Sequence, residues 1–191
     1  FANNIFKLLI LGLLLIVIVI EIFMPLFVFL IAPGFEGDTE KMSLAVNLTR
    51  ITFPFLFFIS LASFFAAILN SHNRFAVASA APIILNILLI SVLFVGNYLN
   101  DQLVYYLSYA VTISGIIQLV FLYFFVKKFF LLKLNFRFEI DEKVKNFFKK
   151  LLPSIFSSGV TQINILVGTI IASFQTLSLI HISEPTRQEA I

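Results

Sequence analysis

An all-α chain embedded in a membrane through five transmembrane helices is what this sequence predicts. Of its 191 residues, 60% are hydrophobic and only 12% charged, where soluble domains run near half and about a quarter. Mean hydropathy is +1.05, and five stretches each reach the roughly 20 mostly apolar residues that a helix needs to cross a bilayer. A soluble globular domain and a disordered chain are excluded, since neither tolerates so few charges. The lack of cysteine excludes disulfide frameworks, thiol catalysis and thiolate metal sites.

The first span covers residues 5–31 and is broken only by Glu21. The second covers 44–69, with Arg50 about one turn inside its start, close enough to the surface to snorkel or to meet an anionic substrate. The third, 75–95, and the fourth, 103–126, carry no charge; the fifth is 151–175. Pro25, Pro54, Pro82 and Pro153 fall in or at the start of spans. Each removes a backbone hydrogen bond and can kink its helix, which suits helices curving around a cavity but also occurs as a static feature. Ala62, Ser63, Ala66 and Ala67 give the second span a close-packing face of small residues.

The connections alternate in charge. Residues 34–43 hold Glu36, Asp38 and Glu40 against Lys41, and 96–102 hold Asp101 without a base. Residues 70–74 contribute Arg74 alone, and eight of the chain's thirteen Lys and Arg lie between Lys127 and Lys150. Because basic loops stay cytoplasmic, the N-terminus, 70–74 and 127–150 are expected inside, and the other two loops outside. A net charge of +3 clustered in this way argues for a membrane-facing loop and against a nucleic-acid surface. Within that loop Val144, Phe147, Phe148, Leu151 and Leu152 follow helical spacing, with Lys143, Lys145, Lys149 and Lys150 filling the other face. That is an interfacial lead-in helix, either an orientation anchor or a reader of anionic lipid.

Lipid offers no hydrogen bonds, so polar side chains in spans face protein or water. In the fifth span Ser154, Ser157, Ser158, Thr161, Gln162, Asn164, Thr169 and Ser173 share a sector roughly 180° wide at about 100° per residue. Phe156, Ile163, Val167, Ile170 and Phe174 take the opposite side. Hydroxyl residues alone would suit tight helix packing, but Gln162 and Asn164 are larger than packing requires. Ser158, Thr161, Gln162, Asn164 and Thr169 are therefore the candidate lining of a hydrated pathway. Glu21 is the candidate coupling residue, as the lone carboxylate deep in a span, which must be protonated, paired or wet. His72 and His181 stand alone and read as structural. No catalytic pattern, metal cluster or phosphate-binding glycine loop is found, so neither an enzyme nor a cofactor is expected.

A set of segments stands out: Pro33-Gly34-Phe35, then Leu48-Thr49-Arg50-Ile51-Thr52-Phe53-Pro54, Ile59-Ser60-Leu61-Ala62, and the run Ala67-Ile68-Leu69-Asn70-Ser71-His72-Asn73-Arg74-Phe75. Ala81-Pro82, Leu85-Asn86, Gln162-Ile163-Asn164 and Ile170-Ile171-Ala172-Ser173-Phe174 complete it. Together these segments resemble the MurJ (MviN) family, the lipid II flippases of the MOP exporter superfamily. Asn70, Asn73, Arg74, Pro82 and Asn86 are the motif positions, while Ala78 and Ala80 depart from the Pro and Phe common in the family. The resemblance implies a fragment of a two-lobed transporter of fourteen helices, of which these five match helices three to seven. The family's cavity arginines lie outside those helices, and neither Arg50 nor Arg74 replaces them.

The function so implied is alternating-access translocation of lipid II, the undecaprenyl-pyrophosphate-linked muropeptide, across the bacterial cytoplasmic membrane. Lipid II and membrane lipids are the implied partners; oligomeric state is not legible. Another exporter of the superfamily, for a lipid-linked oligosaccharide or a cation-coupled drug, and a non-transporting membrane scaffold are the alternatives. Starting at Phe1 without an initiator Met, the chain reads as part of something longer. Leu177 to Arg187 resembles a translated sequencing adapter, so 177–191 are expected to be non-native and 1–176 the transporter portion.

Overall fold

The computed structural model describes residues 2–96, 102–130 and 142–174, and its regular elements are helical. The first span is two helices, α1 (Ala2–Ile22) and α2 (Met24–Ile31), parted at Phe23. Pro25 opens α2 because its fixed φ suits a first turn, and its missing N–H leaves the Glu21 carbonyl without a ladder donor. A single 3-10 turn follows at Pro33–Phe35. Asp38 then caps α3 (Thr39–Thr52), its carboxylate accepting the Lys41 N–H at 3.0 Å.

The second span breaks in the same way, α3 ending before Phe53 and Pro54 and α4 running Phe55–Ser71. Pro82 and Pro153, by contrast, sit inside unbroken helices, α5 (Phe75–Gly96) and α7 (Glu142–Ser173). Between these two lies α6 (Leu103–Val126). Among the described residues, four helical stretches are long and apolar enough to cross a membrane: Ala2–Ile22, Thr39–Ser71, Phe75–Gly96 and Leu103–Val126. The fifth expected span is the C-terminal part of α7. At 32 residues α7 is about 48 Å long, and the lead-in at 142–150 continues straight into it rather than forming a separate helix. Its apolar length is concentrated in Thr161–Ser173.

The central helix is α6, packed on α3, α4 and α5. Its inward line of Ala110, Ser114, Gln118, Leu122 and Val126 recurs every four residues, and small side chains on that line let neighbours approach closely. The buried hydroxyls of Ser108 and Ser114 are satisfied by carbonyls of their own helix, at 2.9 Å from Val104 and 2.6 Å from Val111. Thr112 donates instead to the Ile51 carbonyl in the last turn of α3. One turn on, Gly115 lets α4 lie against α6: a Cβ there would stand 2.8 Å from a Phe55 ring carbon and 3.1 Å from the Phe58 Cβ. Thus α6 clasps the α3–α4 break from both sides.

An aromatic cluster closes one end. The ring of Phe6 at the start of α1 lies 5.2 Å from Phe64, 5.1 Å from Phe65 and 6.2 Å from Phe130. Around it Leu61, Ala62, Leu69, Ala81, Leu122 and Val126 form the core. The α4–α5 turn sits at the same end, where His72 stacks on Phe129 with centroids 4.5 Å apart. At the other end the Pro33–Phe35 turn meets the C-terminal end of α7. The start of α1, the 70–74 turn and the end of α6 therefore share one end, the alternation that the loop charges anticipate.

Candidate functional site

Ser158, Thr161, Gln162, Asn164 and Thr169 are all exposed on α7. So are Ile163, Val167 and Ile171, because α7 meets the rest of the described chain chiefly through the Pro33–Phe35 turn and α2. Val144 is buried near the start of α7 and Ser173 at its end. The side chains of Ser157 and Phe156 lie outside the described residues, as do those of Lys143, Phe148 and Leu152 in the lead-in. Thr169 is satisfied within its own helix, donating to the Ile165 carbonyl at 2.9 Å, and Ser173 donates to Ile170 at 2.7 Å. Gln162 and Asn164 make no side-chain hydrogen bond among the described residues. Each amide offers two donors and an acceptor, so this stretch of α7 requires water or a polar neighbour, not hydrocarbon.

The docked end of α7 depends on one glycine. Gly34 donates its N–H to the Ser173 hydroxyl at 3.1 Å. A Cβ at position 34 would run into the Ser173 carbonyl and stand 2.6 Å from the Phe174 nitrogen. The Pro33-Gly34-Phe35 segment is thus where backbone meets backbone between the first span and α7.

Glu21 lies on the last turn of α1, with carboxylate Oε1 buried and without a hydrogen-bond partner among the described residues. Arg50 lies on α3, and the two close no ion pair among the described residues. Each of these charges sits four residues before the proline that breaks its span, so its own backbone carbonyl is also freed from the helix ladder. Phe27 and Phe53 pack edge to face at 5.5 Å beside the two breaks, which places them at one level of the bundle.

Among the motif positions, Asn73 shapes a turn. Asn73 adopts φ +58, a left-handed conformation that asparagine tolerates better than most residues. Around it the Leu69 carbonyl accepts from Arg74 N at 2.9 Å, and Asn70 accepts from Asn73 N at 3.0 Å. This is a Schellman cap, which ends α4 and turns the chain into α5. Asn70, Arg74 and Asn86 are exposed, and Pro82 borders a small cavity between α4, α5 and α6. None of the five is brought to α7.

Thr39, Ser43 and Asn47 recur every four residues on α3 and, with Glu40, Leu44 and Tyr105 of α6, line an open groove of about 330 Å³. The spacing is visible in the sequence, but residues 34–43 read there as a loop.

Broken spans, a central helix with a small-residue face and a long helix carrying polar side chains through its apolar stretch define a multi-pass α-helical membrane protein. The family model described as "Lipid II flippase MurJ" matches residues 1–184. The chain belongs to that family. "Probable lipid II flippase MurJ" of Rickettsia prowazekii (strain Madrid E) is 39% identical over 180 residues, covering 91% of this chain and 34% of that protein. The protein of the same description from Rhizobium tropici is 40% identical over 178 residues, covering 91% and 33%. "Lipid II flippase MurJ" of Burkholderia cenocepacia is 33% identical over 151 residues, covering 76% and 29%. The chain spans about a third of the length of the curated relatives it matches.

Proposed function

We propose that the protein to which this chain contributes moves lipid II across the bacterial cytoplasmic membrane by alternating access, without bond chemistry. The family match over residues 1–184 carries this reading. In it α7 lends Ser158, Thr161, Gln162, Asn164 and Thr169 to a water-filled cavity between two lobes, where they hydrate and hydrogen-bond the headgroup while the prenyl tail stays in lipid. Glu21, a carboxylate with one buried oxygen at a helix break, is the candidate for coupling the cycle to an ion gradient or the membrane potential. The basic lead-in and Arg74 set the N-terminal end on the cytoplasmic side.

Complementation tests the transport reading: the full-length gene rescues a bacterium depleted of its own flippase. Failure to rescue despite normal membrane expression overturns it. Cysteine scanning tests the cavity separately. Positions 162 and 164 of the full-length protein react with a membrane-impermeant thiol reagent in at least one state, and protection in every state removes α7 from the pathway.

A further inference from the structure

The cavity beside Pro82 brings together polar groups that the transport reading does not use. Gln118 is 1% exposed at the centre of α6, and its Nε2 has no hydrogen-bond partner among the described residues. A buried amide left so carries an uncompensated desolvation cost. The side chain borders a cavity of about 70 Å³ whose wall includes Ala78 and Pro82 of α5 and Ser63 of α4. Pro82 has no N–H and sits inside α5, so the Ala78 carbonyl four residues earlier lacks its ladder donor. An amide donor without an acceptor thus lies beside the same space as a residue whose carbonyl has lost its ladder donor. The Ser63 hydroxyl already donates to Ile59 at 2.8 Å and keeps lone pairs to accept with.

We propose that this cavity is a binding site for water, which bridges Gln118 Nε2, the Ala78 carbonyl and Ser63 Oγ. Two requirements decide the occupant. It must accept from the amide and donate to the carbonyl, which water does and an acyl chain does not. It must also fit: a water needs roughly 10–15 Å³ of accessible space and two to four polar partners, so a short chain of waters has room and partners here. Ordered water is one of the means by which a proline inside a transmembrane helix is tolerated. That accounts for an unbroken α5 at Pro82, where the two spans with prolines at helix starts come apart. The site is independent of what the protein carries.

Radiolytic hydroxyl-radical footprinting of the full-length protein in nanodiscs tests this, because bound water generates radicals at the residues it touches. Leu122 borders the cavity and is 1% exposed, while Phe65, 2% exposed, does not border it. Leu122 should be oxidised and Phe65 not. After mixing into oxygen-18 water, the label should enter Leu122 later than it enters surface residues. Gln118→Leu should bring Leu122 down to the Phe65 background. Pro82→Ala, which restores the missing N–H, should lower Leu122 oxidation as well and carries the test if Gln118→Leu does not fold. An unoxidised Leu122 in the native protein, oxidation that persists in the variants, or oxygen-18 entry as fast as at the surface would each overturn the proposal.

Discussion

Replacing Gly34 by Ala should release the C-terminal end of α7 from the first span. The new methyl would stand 2.6 Å from the Phe174 nitrogen, where ordinary contact begins near 3.4 Å, so α7 must retreat by about 0.8 Å there and further from the Ser173 carbonyl. The obstructing atoms are backbone, so no rotamer change relieves the clash. The retreat stretches the 3.1 Å hydrogen bond from Gly34 to Ser173, worth about 1 kcal/mol. Overpacking of this kind costs about 1–3 kcal/mol. Because α7 meets few other elements, the effect stays local instead of spreading through the bundle.

Hydrogen exchange of a peptide covering residues 32–38 reads this out, since opening of the contact exposes the Gly34 amide. A loss of about 1.4 kcal/mol appears as a tenfold rise in exchange. Ser173→Ala removes only the acceptor and should give a smaller rise. Gly37→Ala is the control, because a Cβ at that position meets nothing within 4 Å. Unchanged exchange in Gly34→Ala, or an equal rise in Gly37→Ala, would refute the claim that backbone contact at Gly34 holds α7.

Thr112→Val leaves the Ile51 carbonyl without its donor and should cost about 1–3 kcal/mol in thermal or denaturant unfolding, while Thr112→Ser retains most of the stability. Phe6→Ala empties the centre of the aromatic cluster and should cost about 3–5 kcal/mol by the same measurement, far more than Phe23→Ala at an exposed site. The Lys41 ammonium, 2.8 Å from Asp38, and the Lys41 N–H hold the Asp38 carboxyl below the usual carboxylate range. Its contribution is therefore complete above that range and lost as pH falls through the lowered value. Helical content of α3 should drop on acidification below the usual carboxylate range in the native chain, and Asp38→Asn should flatten that dependence.

Four of the five expected spans were legible because hydropathy is a local quantity. Of the expected small-residue face, Ala62 is buried in the core and Ala66 borders the α4–α5 cavity, while Ser63 and Ala67 are exposed. Helix breaks at Pro25 and Pro54 were legible as kinks, but not which prolines would part their helices. That outcome depends on neighbours: Thr112 and Gly115 of α6 clasp the Pro54 break, and Gln118 stands across a cavity from Pro82. The central role of α6 was illegible for a related reason. Ser108, Thr112, Ser114 and Gln118 carry no charge, so they vanish in a hydropathy window, and their burial follows only from how α3, α4 and α5 pack on them. The polar stripe of α7 was legible as a pattern, yet its surroundings depend on residues far away in the chain.

The two ends of the bundle are built to different tolerances, and that difference bears on how such a protein moves. At the N-terminal end α1, α4 and α6 interlock through Phe6, Phe64, Phe65 and Phe130, with His72 stacked on Phe129. Interdigitated aromatic packing of this sort resists gradual deformation and moves as a unit. At the opposite end the first two spans are broken at a common level, with carbonyls at Glu21 and Arg50 that lack a ladder donor, and among the described residues α7 is held there by packing on the Pro33–Phe35 turn and α2 and by one backbone-to-hydroxyl hydrogen bond. Rocking of one half against another requires a rigid body and a compliant joint. Under the proposed alternating access, the aromatic end would be the rigid body, and the joint would lie between Phe23, Pro54 and Gly34. Substitutions in the cluster should therefore lower stability, whereas those at the joint should change the rate of the transport cycle with less effect on unfolding.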